Sequence, residues 1–420
     1  MERVESLRTE NKFKKTEIGE IPVDWETLNL ENITEEIYRY PTYYNIEYQK
    51  EGIPEVRGEL IRPNGKLETN LSRYRFISYK TALKFPRTYL KEGDFVISVR
   101  GTLGKVAIIP KFLDGANITA NLIRMSTNRN KIYPLFFLQI LISERFQENL
   151  NNISSRTTIK TIKAPELKRL KFAIPPLPEQ KKIAEILLSV DEAIDKKQEI
   201  IEKTKMLKKG LMQELLTHGI GHKKFKKTEI GEIPVDWKVV KLGEVTRIIM
   251  GQSPPSDSYF EFVNGVPFFQ GNAEFGAKFP KILKWCNSPR KLAETGDILV
   301  SVRAPVGDVN ISPIECCIGR GLAALRGTKI HNDYLYFVMN YFKNILVNIG
   351  QGSTFEAINK RDIFELKIPF PTISEQKKIA EILTSVDEEI EKEMAQKEGI
   401  KNIKKGLMQV LLTGKIRVKI

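Results

Sequence analysis

The sequence has little of what most enzymes of its size depend on. Its 420 residues include three cysteines and three histidines. Cys286, Cys316 and Cys317 cannot make a disulfide framework, and two of them are chain neighbours, so reduced structural thiols in a cytoplasmic protein are expected. His218 and His222 sit four apart but flank Gly219 and Gly221, where a helix is disfavoured, and His331 stands alone, so no metal-ligand spacing is present. No apolar run approaches the ~18 residues that a membrane span requires. The opening MERVESLRTENKFKK lacks the apolar core of a secretory signal. There is no GxxxxGK[ST] phosphate loop, because Gly101–Lys105 (GTLGK) is too short and lacks the hydroxyl residue. Ser253–Ser256 (SPPS) has the prolines of a [DNS]PP[YFW] methylase tetrapeptide without the aromatic that would stack a flipped base. No pair of carboxylates is singled out. These gaps argue against a nuclease, methyltransferase or helicase acting alone.

What the chain does have is a duplication. FKKTEIGEIPVDW fills Phe13–Trp25 and returns unchanged at Phe225–Trp237, while EQKKIAEIL fills Glu179–Leu187 and returns at Glu375–Leu383. The first pair is shifted by 212 positions and the second by 196, because the intervening segments, Glu26–Pro178 and Lys238–Ser374, differ in length. Matching frames around unmatched contents describe one module used twice for two different tasks.

The formal charge of +15 is concentrated in those contents. Glu26–Pro178 carries 24 Lys/Arg against 15 Asp/Glu, or +9, and Lys238–Ser374 carries 16 against 12, or +4. The segments Glu179–Thr217 and Glu375–Thr413 are close to balanced, at 8 against 8 and 7 against 8. A charge serving only solubility would have spread over the whole chain. One confined to the variable segments points to nucleic acid, whose phosphates attract such surfaces through counterion release.

Each variable segment reads as mixed α/β. Glu92–Pro110 (EGDFVISVRGTLGKVAIIP) and Thr295–Pro313 (TGDILVSVRAPVGDVNISP) predict two short strands around a glycine turn. Tyr133–Asn149 and Tyr334–Leu346 have helical spacing, and their aromatics are expected to be core. After a proline-rich stop, Ile183, Leu187, Val190, Ile194 and Ile201 follow a heptad stripe, interrupted by Lys197 and resumed at Leu211 and Leu215. Ile379, Leu383, Val386 and Ile390 repeat it, with Met394, Ile403, Leu407 and Leu411 continuing less strictly. Each helix would run 39 residues, about 58 Å, too long for one small domain to cover, so the two stripes are expected to bury each other. Gly210, Gly399 and Gly406 are expected to weaken these helices locally. The chain thus divides into a first domain (1–178), a first long helix (179–217), a linker and second domain (218–374), and a second long helix with a tail (375–420). Pseudo-twofold symmetry would make the helices antiparallel and bring the C-terminus back beside the N-terminus.

These motifs resemble the specificity (S) subunit of type I restriction–modification systems, over about Phe13–Thr413. The resemblance lies in the Trp-containing TEIGEIPVDW, the following domain, the EQKKIAEIL helix, and the repetition of all three. In the second domain it extends to Gly251–Ser256 (GQSPPS), Val266–Gly271 (VPFFQG), Gly296–Gly307 (GDILVSVRAPVG) and Gly352–Thr354 (GST). The first domain departs from it, with a Tyr-rich stretch, Tyr38–Tyr48, and Arg156–Thr158 (RTT) in place of GST. The resemblance implies an α/β (α+β) chain of two target recognition domains joined by two long antiparallel coiled-coil helices, without catalytic activity of its own. It also implies double-stranded DNA with a bipartite asymmetric site as ligand. Two modification (M) subunits would dock on the helices, and restriction (R) subunits would join the full complex. S-adenosylmethionine, ATP and Mg2+ would then belong to the partners. A stand-alone DNA-binding scaffold is the alternative, to be separated by whether the chain binds specific DNA without an M subunit.

Candidate contacts follow from aligning the two domains. Ile53–Leu60 (IPEVRGEL) and Val266–Ala273 (VPFFQGNA) share Pro54/Pro267 and Gly58/Gly271, which sets Arg57 opposite Gln270. Arg suits guanine and Gln suits adenine, so this exchange between fixed neighbours is what a change of target base would look like. Arg62 and Asn272 lie close by, and Gln252 and Ser253 belong to GQSPPS. Arg156, Thr157 and Thr158 align with a segment that includes Ser353 and Thr354, where small hydroxyl residues suit phosphate or base contacts as well as an ordinary turn. Arg100 and Arg303 end the matched Ser-Val-Arg runs and could bind phosphate or salt-bridge within the domain.

Overall fold

The computed structural model describes residues 12–39, 46–154, 161–351 and 357–420. The chain divides into two compact units: Met1–Lys197 with Gln396–Ile420, and Gln198–Ala395. Both divisions fall inside the long helices, so each unit holds one domain and a half of each helix.

The first unit has a four-stranded antiparallel sheet ordered Thr34–Arg39, Leu122–Thr127, Phe95–Ser98, Val106–Ile108. A second sheet is ordered Asn117–Ile118, Ile53–Val56, Arg75–Ile77, Tyr48–Gln49, its first pair parallel and the rest antiparallel. The second unit repeats the plan. Its first sheet is Thr246–Met250, Leu322–Gly327, Ile298–Ser301, Val309–Ile311, and its second sheet has five strands built around Val266–Phe269 paired parallel with Cys316–Ile318. The predicted strand pairs around the glycine turns are therefore present in both units. Phe95–Ser98 and Ile298–Ser301 are buried along their whole length, as central strands require.

The Gly-Asp that begins each of these runs has a structural task. Asp94 accepts from Arg124 Nε at 2.7 Å, and Asp297 accepts from Arg326 Nε at 2.9 Å. The two arginines are not at equivalent positions. Arg124 pairs with Val96, whereas Ala324, two residues before Arg326, pairs with the equivalent Leu299. Residues two apart on a strand share a face, so either position reaches the carboxylate.

The aromatic segments form paired helices, Pro134–Ile142 with Glu144–Ile153, and Asn332–Tyr341 with Lys343–Gln351. Phe136, Phe137, Tyr334 and Phe337 are core, as the spacing predicted. All three cysteines are free and buried; burial pushes the thiols of Cys316 and Cys317 up to about 11 and about 12.

The long helices span Leu177–Thr217 and Ile373–Leu411. Within the first unit Lys404 Nζ meets Asp191 at 2.7 and 2.8 Å, and Lys197 Nζ meets Gln396 Oε1 at 2.6 Å, so numbers rise along one segment as they fall along the other. The packing there is antiparallel. Lys208 and Asp387, the same positions shifted by 196, pair at 2.5 Å in the second unit. These charged pairs occupy the stretch where the heptad weakens. Ile183, Leu187, Ile201, Leu215, Ile379, Leu383, Ile390 and Leu411 are buried, while Val190, Ile194, Leu211, Val386 and Leu407 are half-buried. Met394 and Ile403 do not continue the stripe: they are 50% and 60% exposed. Gly210, Gly399 and Gly406 all lie within continuous helix. The remaining backbone hydrogen bonds of so long an element outweigh ~1 kcal/mol of local propensity.

The repeated motifs are the joints between helix and domain. Trp25 Nε1 donates to Glu179 Oε2 at 3.0 Å, and Trp237 Nε1 donates to Glu375 Oε2 at the same distance. Gln180 Oε1 accepts from the Tyr133 amide at 2.7 Å, and Gln376 Oε1 from the His331 amide at 2.8 Å, which ties the helix start to the domain's own helix pair. In the first unit the C-terminal tail completes the joint, with Arg417 donating to Glu179 at 2.6 and 2.8 Å and to Asp24 at 2.9 and 2.7 Å. The C-terminus thus returns beside the N-terminal hairpin, as the repeat suggested. In the second unit His222 and the Ile220 amide contact Glu375 Oε1 at 2.8 and 3.0 Å.

Candidate nucleic-acid interface

The scaffold brings the arginine-ended strand and the IPEVRG strand to one cleft in the first unit. Its volume is about 500 Å3, and Tyr48, Glu55, Arg57, Arg75, Arg100 and Lys105 line it. Ser98 Oγ donates to the Thr102 carbonyl at 2.6 Å and accepts from the Lys105 amide at 2.9 Å, folding the Arg100 turn back on its strand. Lys105 Nζ then reaches the Gly58 carbonyl at 3.2 Å, which joins the two segments. Ser301 performs the same stapling on Pro305 and Asp308, both at 2.8 Å. Arg100 bridges Thr161 and Arg303 bridges Ala357, so the chain leading out of RTT and of GST runs beside each Ser-Val-Arg. Among the described residues neither guanidinium has an ion-pair partner, and both side chains are exposed. Arg156, Thr157, Thr158, Ser353 and Thr354 lie outside the described residues.

Arg57 is largely enclosed: it pairs with Glu59 at 2.5 Å and donates to the Arg73 carbonyl at 3.1 Å. Arg62 is exposed and pairs with Glu68 at 3.2 Å. The Asn70 amide, with Arg62 and Arg73, holds the Glu68 carboxyl below its usual range. In the second unit Gln270 Nε2 donates to Ser253 Oγ at 2.9 Å, and the Arg320 amide donates to the same oxygen at 3.3 Å. The exposed Gln252 is held through its backbone amide, 3.0 Å from the Ile318 carbonyl. Asn272 donates to Asp308 Oδ2 at 2.6 Å. Burial alone would push the Asp308 carboxyl up, but hydrogen bonds from Lys343 and Asn272 outweigh it and hold it low. The structure therefore brings Gln270 and Ser253 together, and sets Arg57 and Arg100 around one cleft, with Arg62 bound to Glu68 away from it.

A matched pair of residues escaped the sequence reading. Arg75 lies 5.2 Å over the Tyr48 ring, and Lys284 lies 5.7 Å over the Tyr259 ring. Tyr48 pairs with Ile77, and Tyr259 with Cys286, two residues beyond each cation, so the two arrangements are equivalent. The signal was Arg75-Phe76 against Lys284-Trp285, but the two lie at different distances from Arg57 and Gln270, which hides the match.

With this geometry in hand, the likeness to known proteins is extensive. The type I restriction modification DNA specificity domain matches residues 22–206 and 234–402. The "Putative type I restriction enzyme MjaX specificity subunit" of Methanocaldococcus jannaschii is 43% identical over 98% of both chains. The type I restriction enzyme MjaVIII specificity subunit of the same organism is 30% identical over 98% of this chain and 97% of its own. A solved chain from work on complex assembly and conformational transition of the type I R-M system is 26% identical with a TM-score of 0.62, covering 94% of this chain and 99% of that one. The S subunit of a type I restriction–modification system from M. genitalium shares the fold at 17% identity, with a TM-score of 0.55 over 96% of this chain and 99% of that one. The chain belongs to the type I restriction–modification specificity subunits.

Proposed function

We propose that the protein is the non-catalytic DNA-recognition subunit of a type I restriction–modification enzyme, each unit reading one half of a bipartite asymmetric site. The observation that supports this best is the pairing of one scaffold with two readers. The Ser-staple, the Arg100/Arg303 turn and the cation over tyrosine recur in both units, whereas Arg57 and Gln270 differ at the same strand end. Features held in common suit the phosphate backbone, which is the same everywhere, and features that differ suit base edges. The long helices set the spacing between the half-sites and dock two M subunits. Apolar side chains left exposed on them, Met206, Leu207 and Met394 in the second unit and Ile403 in the first, support that docking. R subunits join the assembled enzyme, and the partners carry S-adenosylmethionine, ATP and Mg2+.

The test is a domain exchange in the complex with its own M subunits. Replacing residues 26–178 with the corresponding segment of another family member is expected to change one half of the methylated sequence and leave the other intact. A change in both halves would defeat the two-reader account. Specific, tight DNA binding by the isolated chain, unaffected by M subunits, would favour a stand-alone scaffold instead.

A further inference from the structure

The strand that ends in Arg57 also carries an acidic residue with no scaffold task. Glu55 is 2% exposed, and its Oε2 has no hydrogen-bond partner among the described residues. Burial pushes its carboxyl up, against the lowering effect of the Tyr48 hydroxyl beside it. Across the parallel strand its neighbour is Asn117, and across the antiparallel one it is Arg75. Both amide atoms of Asn117 and the Nε of Arg57 are likewise buried without partners among the described residues. A buried carboxylate in that condition destabilises a fold.

The second unit shows that the fold does not need it. Phe268 and Cys317 occupy the same parallel register that Glu55 and Asn117 occupy in the first, and they form an apolar cluster with Cys286. Tyr259 stacks on Phe268 at 5.2 Å where Tyr48 lies beside Glu55. An unpaired acceptor in one domain, replaced by a phenyl ring in its sister, marks a position released from packing and given to the cleft.

Glu55 and Arg57 are two residues apart on one strand, hence on one face and about 7 Å apart along it. One offers only acceptors when ionised, the other only donors. A G·C pair displays the complement in the major groove: the N4 amino group of cytosine beside O6 and N7 of guanine. We propose that Glu55 is a base-reading residue of the first domain, accepting the amino group of a cytosine whose paired guanine is addressed by Arg57. This rests on the DNA-recognition function proposed above. Engagement requires Arg57 to leave Glu59, which is 64% exposed and is taken up by water when the half-enclosed pair opens.

The experiment compares the methylated sequence of the native complex with that of Glu55→Gln in the same complex. Glutamine keeps the shape and adds a donor, so discrimination against other base pairs is expected to fall at least about fivefold at one position of one half-site. The half-site read by the second unit should not change. An identical preference, or a loss uniform over all sequences, would overturn the proposal. A native complex that methylates no bipartite site would instead remove the function on which the proposal rests. Melting curves check the fold of the variant. The folded carboxyl keeps its proton to higher pH than the unfolded one, so the folded state binds more protons in that window. Its contribution therefore falls as pH rises through the window. Glu55→Gln should then be at least as stable as the native protein at pH 7, with the advantage vanishing below the ordinary carboxyl range.

Discussion

The two units solve the same joint with different chemistry. In each, a tryptophan of the hairpin donates to the glutamate that opens the following helix. In the first unit that glutamate is fully buried and paired with Arg417, which also holds Asp24 bidentately. In the second it faces His222 and a backbone amide and is partly exposed. A permanent cation fixes one joint, while an imidazole and a backbone N–H fix the other. The pattern carries into the paired strands of the two units, where Glu55 and Arg57 stand against Phe268 and Gln270. Positions that join domain to helix are preserved in role, and positions along these strands differ in chemistry.

The largest expected effect tests the joint. Glu179→Ala leaves the Trp25 N–H and Arg417 Nε without an acceptor while Asp24 keeps the rest of the fork, and breaking such a buried pair costs up to about 3–5 kcal/mol. Glu375→Ala removes hydrogen bonds without stranding a permanent charge, for about 1–3 kcal/mol. Chemical denaturation followed by tryptophan fluorescence reads both, and equal losses would erase the contrast between the units. A smaller effect is expected between the helices. Double-mutant cycles on Asp191/Lys404 and Asp387/Lys208 should each give about 0.5–1 kcal/mol of coupling, the more enclosed first pair giving the larger value. The smallest effect should be the same in both units. A Cβ at Gly210 or Gly406 would meet nothing within 4 Å. Gly210→Ala and Gly406→Ala should each stabilise by roughly 0.5–1 kcal/mol, and a difference between them in thermal melts would show that the helices are not equivalent there.

The frame of this molecule was legible because identity between copies makes function of position visible. EQKKIAEIL could be read as a helix start from its prolines and periodicity. That its first two residues are clamps could not, because Trp25 and Tyr133 are brought to Glu179 and Gln180 only by the fold. The heptad predicted Ile183 and Leu187 correctly and failed at Met394 and Ile403, which lie beside the polar cross-helix contacts Lys197–Gln396 and Asp191–Lys404. Among the candidate contacts Arg57 and Gln270 stood out because a shared proline and glycine flank them. Glu55 did not, since a carboxylate in a strand looks like any solvated charge until the sheet closes over it. The Tyr48–Arg75 pair was hidden in the same way, by a loop whose length differs between the copies.

The first unit is discontinuous: it needs Gln396–Ile420 as well as everything up to Lys197, whereas the second is one unbroken stretch. On the ribosome the order of completion is therefore reversed. The second unit has all its residues before the first, which waits for Leu411 and Arg417. A chain broken off between Ala395 and Leu411 would then damage the unit that begins first and spare the one that follows it.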